Sequence, residues 1–299
     1  MPVKLKPLKR QVIVLTGATS GIGLATADAA AQLGAKLVLV ARSTEALAKI
    51  TEEINAGGGN AIYVAADVSD LSQVQNVAQK AVEHFGRIDT WINDAGTSIY
   101  GRLDEVSDAD SRRLFDVNFW GLVNGSLVAL SHLKTKGGAL INVGSEASEA
   151  VLPLQGMYSA TKHAVKGFTE ALRVEIEEVD KAPVAITLIQ PTAVNTPLPQ
   201  HARNYMNKEP KLVTPQIDPY RVADAILNAA VRHSGNVKVG TVAKVDTKMH
   251  ALVPGLSKKL EAQQINRQQY DEAPRKPEGT LYHSGAGGQV YGGKLHTLH

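Results

Sequence analysis

The chain contains no cysteine. Disulfides, thiolate nucleophiles and cysteine-held metals are therefore excluded, and the absence fits a reducing compartment. It also lacks any apolar run of about 18 residues or more, the length a membrane-spanning helix needs. The basic start, Met1 to Arg10, is followed by no long apolar segment of the kind a signal peptide carries. The sequence thus reads as a soluble cytoplasmic protein. Its nine histidines form no i, i+4 pair and no HExxH pattern, so no metal site is expected. The net charge is only +3, without a dense Lys/Arg block, which gives no reason to expect nucleic acid as a partner. Ser145 is followed by Glu146 rather than by glycine, which argues against a serine-hydrolase elbow.

What is present is a rhythm. Apolar residues make up 43% of the 299 positions, enough for a sizeable core. Apolar runs at Val12–Leu15, Lys36–Val40, Ala61–Ala65, Thr90–Asn93, Ala139–Val143 and Ala185–Ile189 read as strands. Most are continuous rather than alternating, as expected when both faces of a sheet are covered. Helical patterns over 22–33, 43–56, 70–85, 108–133 and 156–179 lie between them. Strand–helix alternation predicts an α/β fold, a Rossmann-type doubly wound parallel sheet. A further helix over Pro219–Arg232 and a last strand, Asn236–Val242, complete the unit near residue 245. Residues 246–299 are expected to form a C-terminal extension. Apolar residues at helical spacing over 246–265 suggest a packing or membrane-surface helix. The Gly-, Pro- and Tyr-rich tail beyond Ala273 has the composition of a flexible terminus.

Ligands of such sheets bind beyond the carboxyl ends of the strands, so the chemistry is sought there. After the first strand comes Thr16-Gly-Ala-Thr-Ser-Gly-Ile-Gly23. Its glycines permit a sharp reversal and close backbone approach, and the following helix N-terminus favours a pyrophosphate. After the second strand stand Ala41, Arg42 and Ser43, with no carboxylate to repel a 2′-phosphate and a guanidinium to hold one. This predicts NADP(H) in preference to NAD(H). Asp67 is expected either to accept from an adenine amino group or to cap the next helix. Asn93-Asp-Ala-Gly96 forms a small turn, and Asn118 is a polar residue inside an apolar helical stretch. Ser145 ends the fifth strand. Tyr158 and Lys162, at i, i+4, share one helix face, where an ammonium would lower the phenol's pKa. Such a tyrosine can exchange a proton with an alcohol or carbonyl oxygen. The irregular stretch from Leu198 to Pro219 has the length of a lid.

Taken together, these motifs resemble those of the classical short-chain dehydrogenase/reductase family, in the family's order and spacing from residue 11 to about 240. The resemblance implies Tyr158 as catalytic acid/base, and Lys162 as holder of the nicotinamide ribose that also lowers the tyrosine pKa. Ser145 would polarise the substrate oxygen, and Asn118 would hold a proton-relay water. It implies cofactor contacts from Gly17, Thr19, Ser20, Gly21, Ile22, Gly23, Arg42, Asp67, Val68, Asn93, Ala95, Gly96, Tyr158, Lys162, Pro191, Thr192, Val194 and Thr196. A homodimer or homotetramer is also implied. Two positions depart from the family pattern: Asp94 replaces an asparagine, and Thr192 replaces the glycine after Pro191. The function expected is NADP(H)-dependent interconversion of a secondary alcohol and a ketone, with substrate walls at Thr97–Tyr100, Val151–Gln155 and Ala193–Leu212. The rival readings are a catalytically silent NAD(P)-binding sensor or scaffold, a sugar-nucleotide enzyme, and a membrane-peripheral enzyme for a lipophilic substrate.

Overall fold

In the computed structural model, residues 3–240 and 268–293 are described. The segment 246–265, expected to be helical, lies outside the described residues.

The predicted strands form one sheet. They are β1 (Val12–Thr16), β2 (Lys36–Ala41), β3 (Asn60–Ala65) and β4 (Thr90–Asn93). A two-residue strand, β5 (Ile99–Tyr100), precedes β6 (Gly138–Val143), β7 (Val184–Pro191), a second short strand β8 (Arg203–Asn204) and β9 (Asn236–Val239). The seven-stranded order is β3-β2-β1-β4-β6-β7-β9, and every pairing is parallel. The order reverses between β1 and β4, which opens a crevice at their carboxyl ends. β5 and β8 pair separately beside it.

The helices are α1 (Gly21–Gln32), α2 (Thr44–Ala56), α3 (Leu71–Phe85), α4 (Asp108–Phe115), α5 (Gly121–Lys136), α6 (Gly156–Arg173), α7 (Leu198–His201) and α8 (Pro219–Val231). Side-chain caps fix several starts: Ser43 accepts from Ala46, Asp70 from Ser72 and Gln73, and Asp218 from Tyr220. Asp70 therefore does the capping that Asp67 had been a candidate for. The expected single helix over 108–133 is interrupted by a π-turn at Asp116–Trp120, and the helix over 156–179 finishes in another. Such turns often mark functional positions. One of them carries Asn118.

Continuous apolar strands are explained by two cores, one on each sheet face. Ile13, Leu15, Leu37 and Leu39 pack beneath α1, α2 and α8. Val14, Val38, Trp91 and Leu140 pack beneath α3, α5 and α6. Each fully buried Leu, Ile or Val contributes about 1.5–3 kcal/mol. Helix α1 approaches the sheet closely because its buried face is Ala25, Ala27 and Ala30.

Residues 268–293 correct the expectation of a flexible tail. They carry almost no regular structure, yet they are tied by backbone hydrogen bonds to the segment after β7 and to the first glycine turn.

Candidate functional site

The site begins with Thr16 at the end of β1. Its Oγ1 accepts the N–H groups of Asp94 (3.1 Å) and Ala95 (3.2 Å) and donates to Ile92 O. This seats the Asp94–Gly96 turn against the glycine turn. The two turns touch so closely that only glycine fits: a Cβ at Gly17, whose φ is +76°, would lie 2.8 Å from Ala95 N. At Gly23 it would lie 2.2 Å from Gly17 O. The result is a cradle of bare backbone at the head of α1, the shape and polarity a pyrophosphate requires. Thr196 closes the cradle from above, with its Cβ 3.1 Å from where a side chain on Gly21 would begin.

One continuous cleft runs from this cradle to the catalytic candidates. Gly17, Thr19, Ser20, Gly21, Ile22, Arg42, Asp67, Val68, Ala95, Gly96, Ser145, Tyr158, Lys162, Pro191, Thr192, Val194 and Thr196 all line it. Three expected residues do not. Gly23 is a packing position between α1 and the turn below. The Asn93 side chain points away, into a buried network. Its amide donates to Asn142 (2.9 Å) and Ser126 (3.1 Å), and its oxygen accepts from Trp91 Nε1 (2.8 Å). Asn118 is likewise spent. Its Nδ2 donates to Thr97 O (2.9 Å) and Thr161 Oγ1 (3.2 Å), and its Oδ1 accepts from Thr97 N (2.9 Å). Both amide protons are thus taken by protein groups.

At the far end, Ser145 closes β6. Its Oγ accepts from Ala147 N (3.1 Å), which caps the short turn Glu146–Ser148. The Ser145 side chain faces the same cleft as the Tyr158 phenol and favours its ionised form. Lys162 Nζ donates to Val143 O (2.9 Å) and stands 5.7 Å from the Tyr158 ring centroid. All three side chains are buried.

The electrostatics differ from the expected pair. Burial pushes the Tyr158 phenol up to about 12; the Ser145 side chain opposes this, while Glu146 and Asp94 add to it. Burial brings Lys162 itself down to about 8, against the pull of Asp94. Asp94 in turn is pushed up to about 7 by burial, opposed by Lys162 and by the Gly23 N–H. The family-atypical Asp94 is therefore a second titrating group beneath the catalytic end. The other departure is absorbed locally. Thr192 Oγ1 bonds Glu146 (2.7 Å), and its methyl lies against Gly240, where a Cβ would be only 2.3 Å away.

Near the adenosine end, Asp67 accepts from Ser69 N (3.0 Å), Ser69 Oγ (2.7 Å) and Arg113. Arg42 does not stand free. It donates to the backbone carbonyls of Thr280, Leu281 and His283 in the tail. Around the substrate end, Thr97, Leu152, Gln155, Leu198, His201 and Leu212 bring the three expected walls together. Gln268, absent from the sequence reading, joins them through a 2.9 Å bond from Gln155. Among the described residues no group of acidic and histidine side chains could hold a metal, and no helix is long and apolar enough to cross a membrane.

The comparisons with known proteins agree with this geometry. The short chain dehydrogenase family profile matches residues 11–207. An uncharacterized oxidoreductase, YxnA of Bacillus subtilis, is 43% identical over 290 residues, covering 95% of this chain and 81% of its own length. A putative oxidoreductase of Mycobacterium tuberculosis, SadH, is 34% identical over 242 residues, covering 78% of this chain and 87% of its own. Among solved structures, a Burkholderia phymatum short chain dehydrogenase/reductase in complex with NAD superposes with a TM-score of 0.75 at 26% identity, covering 90% of this chain and 99% of that one. An alcohol dehydrogenase from Thermococcus sibiricus complexed with 5-hydroxy-NADP gives 0.67 at 28% identity, covering 78% and 97%. A cleft with a glycine cradle at one end and Ser145, Tyr158 and Lys162 at the other, in a chain so aligned, places the protein in the short-chain dehydrogenase/reductase family of oxidoreductases.

Proposed function

We propose that the chain interconverts a secondary alcohol and a ketone with NADP(H). The observation that carries this reading is that Ser145, Tyr158 and Lys162 line the same cleft as the glycine cradle. When bound, the nicotinamide dinucleotide supplies or accepts the hydride. The protein residues supply the rest. Gly17–Ile22 and Thr196 hold the pyrophosphate end, Asp67 and Val68 the adenine end, and Lys162 the ribose beside Tyr158. Ser145 orients the substrate oxygen. Tyr158, whose phenol is protonated at neutral pH, donates its proton to a carbonyl oxygen during reduction and recovers it from an alcohol in the reverse direction. Asn118 is a positioning residue that holds Thr97 and Thr161 around the site.

Preference for NADP(H) rests on Arg42 and on the lack of a carboxylate at Ala41–Ser43. The substrate walls are mostly apolar with two amides, Gln155 and Gln268, which suits a neutral, fairly hydrophobic carbonyl compound. Residues 1–245 form the catalytic unit and 246–299 an extension, of which residues 268–293 lie against it. Exposed Leu127 on α5, Trp120 in the π-turn before it, and Val174 and Val179 in the π-turn after α6 suit association into a homodimer or homotetramer in the cytoplasm.

A panel of neutral ketones and secondary alcohols, followed through nicotinamide absorbance with both cofactors, tests the reading. Turnover faster with NADPH than with NADH is expected. The variant Arg42→Asp should weaken NADPH more than NADH; equal effects on both would refute the cofactor assignment.

A further inference from the structure

Residues 268–293 run back across the mouth of the cleft. One stretch of this strap is fastened to the segment after β7: Lys211 N–H donates to Gln268 O (2.9 Å), Asn204 N–H to Pro277 O (2.8 Å) and Thr280 N–H to His201 O (2.8 Å). The other is fastened to the glycine turn: Gly21 N–H donates to Gln289 O (2.9 Å) and Gly288 N–H to Thr19 O (2.8 Å). Glycine makes the fit. A Cβ on Gly292 would lie 2.1 Å from Thr196 O, and one on Gly279 2.4 Å from the Ala202 backbone. Between the fastenings, the Leu281 side chain is fully buried in the cluster that contains Tyr158.

The middle of the strap is aimed at Arg42. Nη2 donates to Thr280 O and to His283 O (3.2 Å), and Nη1 donates to Leu281 O (3.3 Å). A guanidinium presents two forked edges, Nε–H with Nη2–H and Nη1–H with Nη2–H. Both need Nη2, and both Nη2 protons are spent on strap carbonyls. A phosphate is gripped best by such a fork. With the strap closed, Arg42 has only single donors left, and three carbonyl oxygens stand around it.

We propose that the C-terminal strap sets the choice of dinucleotide: closed, it withholds Arg42 from a 2′-phosphate, and it must yield those carbonyl contacts before NADP(H) is gripped. A bare 2′-hydroxyl makes no such demand. The strap thus reduces an NADP(H) preference that Arg42 alone would make larger. The inference rests on the reading of this cleft as a dinucleotide site.

The test uses two full-length variants that loosen the strap at separate points, Leu281→Asp and Gly292→Ala. Equilibrium titrations with NADPH and with NADH are compared with the unmodified protein, and circular dichroism confirms the fold. The ratio of NADPH to NADH affinity should rise about tenfold in each variant, whether or not NADH binding itself weakens. An unchanged ratio, or a fall in it, would overturn the proposal and leave the strap as a roof that treats both dinucleotides alike. If the unmodified protein bound neither dinucleotide, the reading of the cleft itself would fail; a ratio that stays fixed in a protein that binds them defeats the strap proposal alone.

Discussion

Replacing Gly23 by alanine adds one methyl group at the tightest point of the cradle. Its Cβ would sit 2.2 Å from Gly17 O and 2.8 Å from Asp94 Oδ2. A carbon–oxygen contact ordinarily needs about 3.3 Å. The head of α1 must therefore retreat by about 1 Å, since the nearest obstacle is backbone that cannot swing away. Overpacking of this kind costs about 1–3 kcal/mol. For a chain of this size each kcal/mol lowers Tm by about 2–4 °C, giving a loss of about 2–12 °C. The same retreat pulls the α1 N–H groups from the pyrophosphate position, so dinucleotide affinity should fall by about tenfold or more. Gly167→Ala is the matched control. Gly167 is exposed on α6, and nothing lies within 4 Å of its Cβ position. Here alanine should stabilise by about 0.5–1 kcal/mol through helix propensity. Differential scanning calorimetry and NADPH titration read both variants. Unchanged melting and unchanged NADPH binding in Gly23→Ala would refute the account of the cradle.

Two further substitutions probe the catalytic end and the core behind it. Asp94→Asn keeps an acceptor for the Gly23 N–H but removes the charge that holds the Lys162 pKa up. The alkaline limb of kcat/KM, where Lys162 loses its proton, should then move down by about one pH unit. Since Asp94 ionises only around pH 7, the variant and the parent should agree at about pH 6 and diverge at about pH 8. Coincident profiles across the whole range would exclude an Asp94–Lys162 coupling. Asn142→Ala deprives the Asn93 amide of one acceptor and Thr169 of a donor deep between β4, β6 and α6. It should cost about 1–3 kcal/mol in a denaturant titration and leave dinucleotide affinity nearly unchanged; a loss of affinity without a loss of stability would place Asn93 back in the cleft.

The sheet was legible because a parallel strand buried on both faces must be apolar throughout, and six such runs spaced by helical patterns admit few folds. The Tyr158–Lys162 spacing was legible because helix geometry converts four residues into one face. Sequence spacing does not say which way a side chain leaves a strand or a turn. Asn93 adjoins the cleft in sequence yet turns toward α5, and Asn118 is carried by a π-turn to Thr97. Nor does spacing carry burial. The proximity of Lys162 suggested a lowered phenol pKa, but desolvation dominates at Tyr158, and Glu146 and Asp94 add to the rise. The strap was least legible. Its Gly- and Pro-rich composition is that of disorder, while in the structure those glycines are the places where two backbones pass at close range. The partners of Arg42 are main-chain carbonyls, which no side-chain pattern encodes.

The central claim is that Tyr158 transfers the proton while other groups bind the cofactor. Tyr158→Phe removes the hydroxyl and keeps the ring in place. With a ketone found active for the parent protein, kcat should fall by about 10²–10⁴-fold, while the NADPH dissociation constant stays within about threefold. Turnover by Tyr158→Phe close to that of the parent would contradict the account.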